Sequence, residues 1–270
     1  MTQGVALRLT PALAILMLSQ ALLGLVLRER YRDVEWIRAT WLGNDWVTLT
    51  GAVPLLWLGA ARAARGSVRG LLLWLGMLAY AAYNYAFYLF GAALNAFFPL
   101  YVALTVLPVV TLGCVVTRVD VRAVAGSIAA DVPARLIGGY LAGVSAGLAA
   151  AWMGRWGAYV FGGVALPVEP EAFKVVAALD LGAMVPALAA GGVLLWTRRP
   201  WGYVIAAMAS IQGALYLFVL SVNSLIAIRA DLVPSPGELP LWGTLTVLTT
   251  AAAMRLVASA GHTSEPWWRS

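Results

Sequence analysis

Charge is what this sequence has least of. Only 11% of its 270 residues are Asp, Glu, Lys or Arg, against 62% hydrophobic. A water-soluble domain carries about 25% charged residues, so this chain has too little polar surface to clothe a soluble globule. Cysteine occurs once, as Cys114, which excludes an internal disulfide and any cysteine cluster for zinc or iron–sulfur. Histidine occurs once, as His262 near the C-terminal end, which argues against haem, chlorophyll or zinc held by paired histidines. The one lysine, Lys174, sits at an expected helix start, a poor place for a Schiff base deep in a helix. There is no Walker motif, no G-x-S-x-G, no H-E-x-x-H, no histidine box and no DDxxD-like pair. No cofactor or metal is therefore expected. An embedded enzyme would have to work with lone carboxylates, amides and tyrosines.

What the chain does have is long apolar runs. Mean hydropathy is +0.84, and stretches of about 20 residues recur, the length that crosses a bilayer as a helix. The short alternating segments of a β-barrel do not dominate. The spacing predicts an all-α polytopic membrane helix bundle with spans at roughly 7–27, 46–62, 70–91, 97–117, 135–157, 174–197, 201–224 and 240–258. The first lacks a small-residue cleavage site and runs into "RERYRD", so it reads as an uncleaved span rather than a signal peptide.

Basic residues alternate from loop to loop. Arg8, Arg62, Arg65, Arg69, Arg118, Arg122, Arg135, Arg198, Arg199, Arg255 and Arg269 fall on one side, with Asp120, Asp131 and Glu265 as the only acids. The other side has seven basic residues and eight acids. The positive-inside rule then places both termini in the cytoplasm and gives the formal charge of +6 a topological meaning, with no nucleic-acid partner implied. Arg28, Arg30, Arg32 and Arg38 run against the rule, and their neighbours Glu29, Asp33 and Glu35 suggest local pairing.

The chain also repeats itself. "AFYLFGAALN" from Ala86 matches "ALYLFVLSVN" from Ala214 at five of ten positions. "PLYVALTVL" from Pro99 matches "PLWGTLTVL" from Pro240 at six of nine, and "VPLL" from Val53 resembles "VPAL" from Val185. The order is the same in both halves. The spacings differ by four residues, assigned to an arginine-bearing inner loop, and by thirteen, assigned to an outer loop around "RADLVPSPGE". Two tandem four-helix repeats are expected, 1–130 and 131–259, followed by a cytoplasmic tail, 260–270, with a parallel pseudo-twofold axis along the membrane normal.

Asp180 is the one acid inside an expected span. A carboxylate at the bilayer centre costs about 2.5–3.5 kcal/mol on insertion scales, so it must face a partner helix or a wet cavity. Asp45 opens the second span and could cap it. Asn84, Tyr88 and Asn95 share one helical face, and the repeat pairs them with Gln212, Tyr216 and Asn223. These eight residues form the candidate binding site, expected between the membrane centre and the outer face, with Asp180 bordering an outward-opening cavity. Gly139, Gly143 and Gly147 form a close-packing stripe. Trp36, Trp41, Trp46, Trp156 and Tyr159 read as an outer interfacial belt, and Trp267 and Trp268 as an anchor on the inner leaflet.

"NDWVTLTGAVPLL", "LLLWLGMLAYAAYNYAFYLFGAALN" and "LLWTRRPWGYV" resemble a group of uncharacterised bacterial polytopic inner-membrane proteins. The resemblance implies a bacterial inner-membrane location and brings no activity. Three readings of function stand side by side. The first is a small-molecule or ion transporter or channel-like protein. The second is a non-catalytic accessory, sensory or assembly subunit. The third is an embedded enzyme acting on a lipid or isoprenoid through a lone carboxylate. The partners implied are the bilayer and a small-molecule or lipid ligand.

Overall fold

The computed structural model describes residues 2–128, 132–233, 235–261 and 267–268, with side chains from Gly4 onward. Asp131, His262, Glu265 and Arg269 lie outside the described residues, as do the expected boundary at 130–131 and most of the 260–270 tail.

The described residues form nine helices and no strand. They are α1 (Thr2–Val26), α2 (Glu35–Ala64), α3 (Val68–Gly91), α4 (Phe98–Val116), α5 (Val121–Ser127), α6 (Ala134–Gly162), α7 (Pro170–Trp196), α8 (Pro200–Arg229) and α9 (Leu239–Ala258). All but the short α5 are long and apolar enough to cross a membrane, so the chain is an integral, multi-pass membrane protein. Their starts follow local chemistry. Proline stands in the first turn of α4, α7, α8 and α9, where its missing N–H costs nothing. Ser67 and Asp120 cap α3 and α5 through their side-chain oxygens. Gly163, at φ 64°, closes α6 in the left-handed conformation that only glycine adopts freely.

α3 and α8 run side by side through the middle. Their apolar windows are 78% and 50% buried, against 22–39% for the other spans. They meet where Gly76 of α3 lies under Ile211 of α8, a Cβ on Gly76 falling 2.5 Å from that of Ile211. On one side α3 is flanked by α2 and α4, and on the other α8 is flanked by α7 and α9. α3 also touches the N-terminal part of α7, and α8 the N-terminal part of α2.

The hairpins α2–α3 and α7–α8 are alike in detail. A five-residue π-helical turn, Thr48–Ala52 in one and Asp180–Met184 in the other, precedes Val53-Pro54 and Val185-Pro186. Such a wide turn absorbs the donor that proline lacks. Five residues after each proline a glycine lets the helices touch: Gly59 on the backbone of Trp74, Gly191 on that of Ala206. Gly70 seats against Arg62 and Ala63, and Gly202 against Leu194 and Leu195. Every one of these pairs is 132 residues apart. The α2–α3 and α7–α8 connections are therefore equal in length, and the four-residue difference expected there is absent. The sequence block that pairs Asn84 with Gln212 is one helical turn out of step with the hairpins, which instead set Asn84 level with Tyr216. The length difference falls entirely at the C-terminal ends of α3 and α8, where α8 has 30 residues to the 24 of α3 and the connection that follows it is longer.

The two groups of helices close differently. α1 packs along α4, whereas α6 and α9 barely touch and are spanned by a Tyr140–Thr249 hydroxyl hydrogen bond of 2.6 Å. The glycine stripe on α6 packs at one end only: a Cβ on Gly139 would lie 2.7 Å from the Trp196 ring, whereas one on Gly143 or Gly147 would meet nothing within 4 Å. The close approach is one position away, Gly138 against the carbonyl of Gly192. The tail also departs from expectation. Trp267 is buried at 1% exposure in the protein rather than in lipid, its indole donating to the Ala63 carbonyl at 3.2 Å. Arg69 ties α3 to the end of α9 through the carbonyls of Ala258 and Ala260.

Candidate functional site

Asp45 stands ten residues into α2, well past the helix start, so it is not the cap expected of it. Its side chain is fully buried and takes three donors. Gln20 of α1 and Tyr88 of α3 reach Oδ1 at 3.0 and 2.8 Å, and Tyr31, from the α1–α2 connection, reaches Oδ2 at 2.7 Å. Gln20 also donates to the Tyr31 hydroxyl at 3.1 Å and accepts from Tyr85 at 3.2 Å. Burial first, and the adjoining Asp45 second, push the Tyr31 phenol well above its ordinary range, so it stays a donor. Gly24 makes the seat: a Cβ there would lie 2.1 Å from Asp45 Oδ2. Trp41 stacks on Tyr88 at 4.5 Å and donates to Asp33 at 3.0 Å, so this member of the expected interfacial belt belongs to the core. Trp46, Trp156 and Tyr159 are exposed as expected.

Asp180 also stands ten residues into its helix, at the first position of the π turn in α7. It is 2% exposed. Tyr83 of α3 donates to Oδ1 at 2.5 Å and Trp152 of α6 to Oδ2 at 2.8 Å. The Tyr83 ring packs edge-on against Tyr216 of α8 at 5.0 Å. Both oxygens are thus closed off by neighbouring helices, and Asp180 faces partners rather than the expected outward-opening cavity. By the hairpin equivalence its counterpart is Thr48, not Asp45.

The eight candidate residues do not converge on one site. Tyr88 joins Asp45, and Tyr216 reaches Asp180 only through Tyr83. Asn84 and Gln212 are buried, and the Asn84 amide nitrogen has no hydrogen-bond partner. Asn95 lies in the α3–α4 connection, where its Oδ1 holds the Phe97 N–H at 2.8 Å. Asn223 sits on Gly43 of α2, its Oδ1 1.9 Å from where a Cβ would be. The residues that sequence reasoning missed are Gln20, Tyr31, Tyr83, Tyr85 and Trp152. Gln20 is the one amide in the apolar part of α1, and α3 carries four tyrosines within nine residues (Tyr80, Tyr83, Tyr85, Tyr88), a density that could have flagged them.

Two cavities lie elsewhere. One of about 440 Å³ is at the end of the bundle that carries the α1–α2 connection, lined by Arg28, Glu29, Glu35 and Arg38 over Leu42 and Ile226. The expected pairing of those charges does not occur: none of the four first-loop arginines makes a salt bridge with Glu29, Asp33 or Glu35. The other, about 590 Å³, is at the opposite end, between α5 and the start of α8, lined by Arg122, Arg199 and Trp201 among others. Neither is bordered by Asp45 or Asp180. No group of three or more His, Cys, Asp or Glu among the described residues could hold a metal ion. Comparison with protein-family models, with curated proteins and with solved structures finds no match to this chain.

Proposed function

We propose that the protein is a membrane carrier built from two tandem four-helix repeats and coupled to protons through Asp45 and Asp180. The observation that carries this reading is that each half holds one sealed carboxyl, ten residues into the helix that a π turn and a Val-Pro pair interrupt. An amide would tie helices together as well. A carboxyl adds the capacity to gain and lose a proton, and ionisable groups inside membranes mark ion paths and proton relays. π turns recur at functional sites, and interrupted helices in repeated halves are the usual substrate and ion sites of carriers. The constant 132-residue offset of the hairpins supports a duplication, and eight crossings give both halves one orientation, as parallel repeats have. The loop arginines favour a bacterial inner membrane with both termini inside. The sealed carboxyls then belong to an occluded state.

The test is current recording on reconstituted proteoliposomes offered a panel of small cationic, anionic and neutral solutes. At least one class should evoke a transient current that Asp45→Asn and Asp180→Asn abolish while remaining folded. The accessory reading draws support from the same sealing of both carboxyls, and it expects the Asn variants to change stability alone. Wild-type traces identical to those of the double Asn variant across the panel would reject the carrier.

A further inference from the structure

The hydrogen bonds around Asp45 do not stop at its first neighbours. Toward the outside, Tyr101 of α4 brings its hydroxyl up to both Tyr31 and Asn95, yet neither the Tyr101 hydroxyl nor the Asn95 amide nitrogen closes a hydrogen bond. Both residues are buried, at 1% and 8% exposure, Asn95 in the α3–α4 connection and Tyr101 in the first turn of α4. Toward the inside, Gln20 leads to Tyr85, and Thr48 lies beside Tyr85 and Tyr80. The hydroxyls of Thr48 and Tyr80 are again without partners. Beyond Tyr80 the seam ends. The next polar pair toward the inside, Trp74 on Thr10 at 3.1 Å, is closed on itself and lies six residues further along α3, about 9 Å at helical rise.

Buried polar groups left without partners cost about 1–3 kcal/mol each, and groups that converge without bonding are what a bridging water satisfies. Tyr101 and Asn95 supply two such groups at one point, beside the Tyr31 hydroxyl that already donates to Asp45. We propose that this point is a water-bridged proton port, opening only to the outer face, through which Asp45 exchanges its proton. The inference rests on the carrier reading and gives its proton a route and a side of entry. A proton arriving from outer water binds the Tyr101 hydroxyl oxygen as that hydroxyl releases its own proton to the bridging water, which gives one of its protons to the Tyr31 hydroxyl oxygen. Tyr31 in turn passes its proton to Asp45 Oδ2 across the 2.7 Å bond. Each hydroxyl ends as it began, and the one net change is protonation of the carboxylate. The titratable groups around this path are Tyr31 and Asp33 from the α1–α2 connection, Tyr80, Tyr85 and Tyr88 from α3 and Tyr101 from α4. α1 contributes only the neutral Gln20, and α8 faces α2 here with the neutral Asn223.

The test needs no substrate. Infrared spectra of the protein in lipid nanodiscs identify the protonated Asp45 carbonyl band as the one lost in Asp45→Asn. Its shift on transfer from H2O to D2O gives the exchange rate. Tyr101→Phe removes a hydroxyl that makes no hydrogen bond within the protein, so the fold should survive, and exchange should slow by about tenfold or more, about 1.4 kcal/mol on the barrier. Tyr31→Phe should slow it too, and Tyr140→Phe, far from the seam, should not. Unchanged exchange in Tyr101→Phe, slowing by Tyr80→Phe instead, or no Asp45 band at any pH would each overturn the port. Solute-evoked currents that persist after such a result would leave the carrier standing and remove only the port.

Discussion

At the scale of single residues, the carboxyls are held by what surrounds them more than by water. Asp45 depends on an absent side chain, since Gly24 leaves the space its Oδ2 occupies. Gly24→Ala should therefore cost about 1–3 kcal/mol through forced displacement, measured as thermal unfolding in detergent. Most of that loss should vanish in the Asp45→Ala background, because the clashing oxygen is gone. Asp180 gives a complementary expectation. Asp180→Leu strands the Tyr83 hydroxyl and the Trp152 indole N–H, at about 1–3 kcal/mol for each buried donor. Asp180→Asn keeps a carbonyl for one of them and should lose less. Equal melting temperatures for the two variants would show that these hydrogen bonds contribute little. The sequence marked both aspartates, because an acid in an apolar run is visible as such. It could not mark their donors, because Tyr and Trp in a membrane helix read equally well as lipid-facing or interfacial. Only the tertiary fold brings Tyr31, fourteen residues upstream, onto Asp45.

At the scale of elements, glycine matters by position rather than by pattern. The stripe at Gly139, Gly143 and Gly147 announces a tight helix contact, but only Gly139 meets a neighbour, the Trp196 ring, and the backbone contacts are made by Gly138, Gly59, Gly70, Gly191 and Gly202. A one-residue step on a helix turns the face by about 100°, and composition alone does not reveal which face meets a neighbour. Gly59→Ala and Gly191→Ala should each destabilise by about 1–3 kcal/mol, since a methyl would press on backbone that cannot rotate away. Gly143→Ala and Gly147→Ala meet nothing and should be neutral or stabilising by up to about 1 kcal/mol through helix propensity. Matched melts of the four variants decide between contact and stripe. The eight apolar helices were legible in their hydrophobic runs, though α2 begins eleven residues before its expected start, at Glu35 rather than 46. Its first turns are amphipathic, with Trp41 turned inward and Trp46 outward, which a hydropathy reading takes for loop. Pro54 and Pro186 were visible as irregularities; the π turns ahead of them were not, because no residue type specifies a π turn.

At the scale of the whole molecule, topology is the expectation easiest to check. In a Cys114→Ser background, an impermeant thiol reagent applied outside should label Ser235→Cys and spare Ser67→Cys until the membrane is opened. The opposite pattern would invert the orientation and turn both carboxyls toward the cytoplasm. The two halves share their hairpins but not their finish. The first is sealed by α1 on α4 and by Trp267 beneath them, the second only by the reach of Tyr140 to Thr249. That seal has a consequence for biosynthesis. Trp267 hydrogen-bonds to Ala63, 204 residues upstream, and the Asp120 N–H bonds to its carbonyl. The ribosome therefore delivers all eight spans to the membrane before it delivers the residue that plugs the first four. Until translation passes that point, the end of the first half at the α2–α3 connection stays unfinished, and a stop codon after α9 would leave every span in place around an open base.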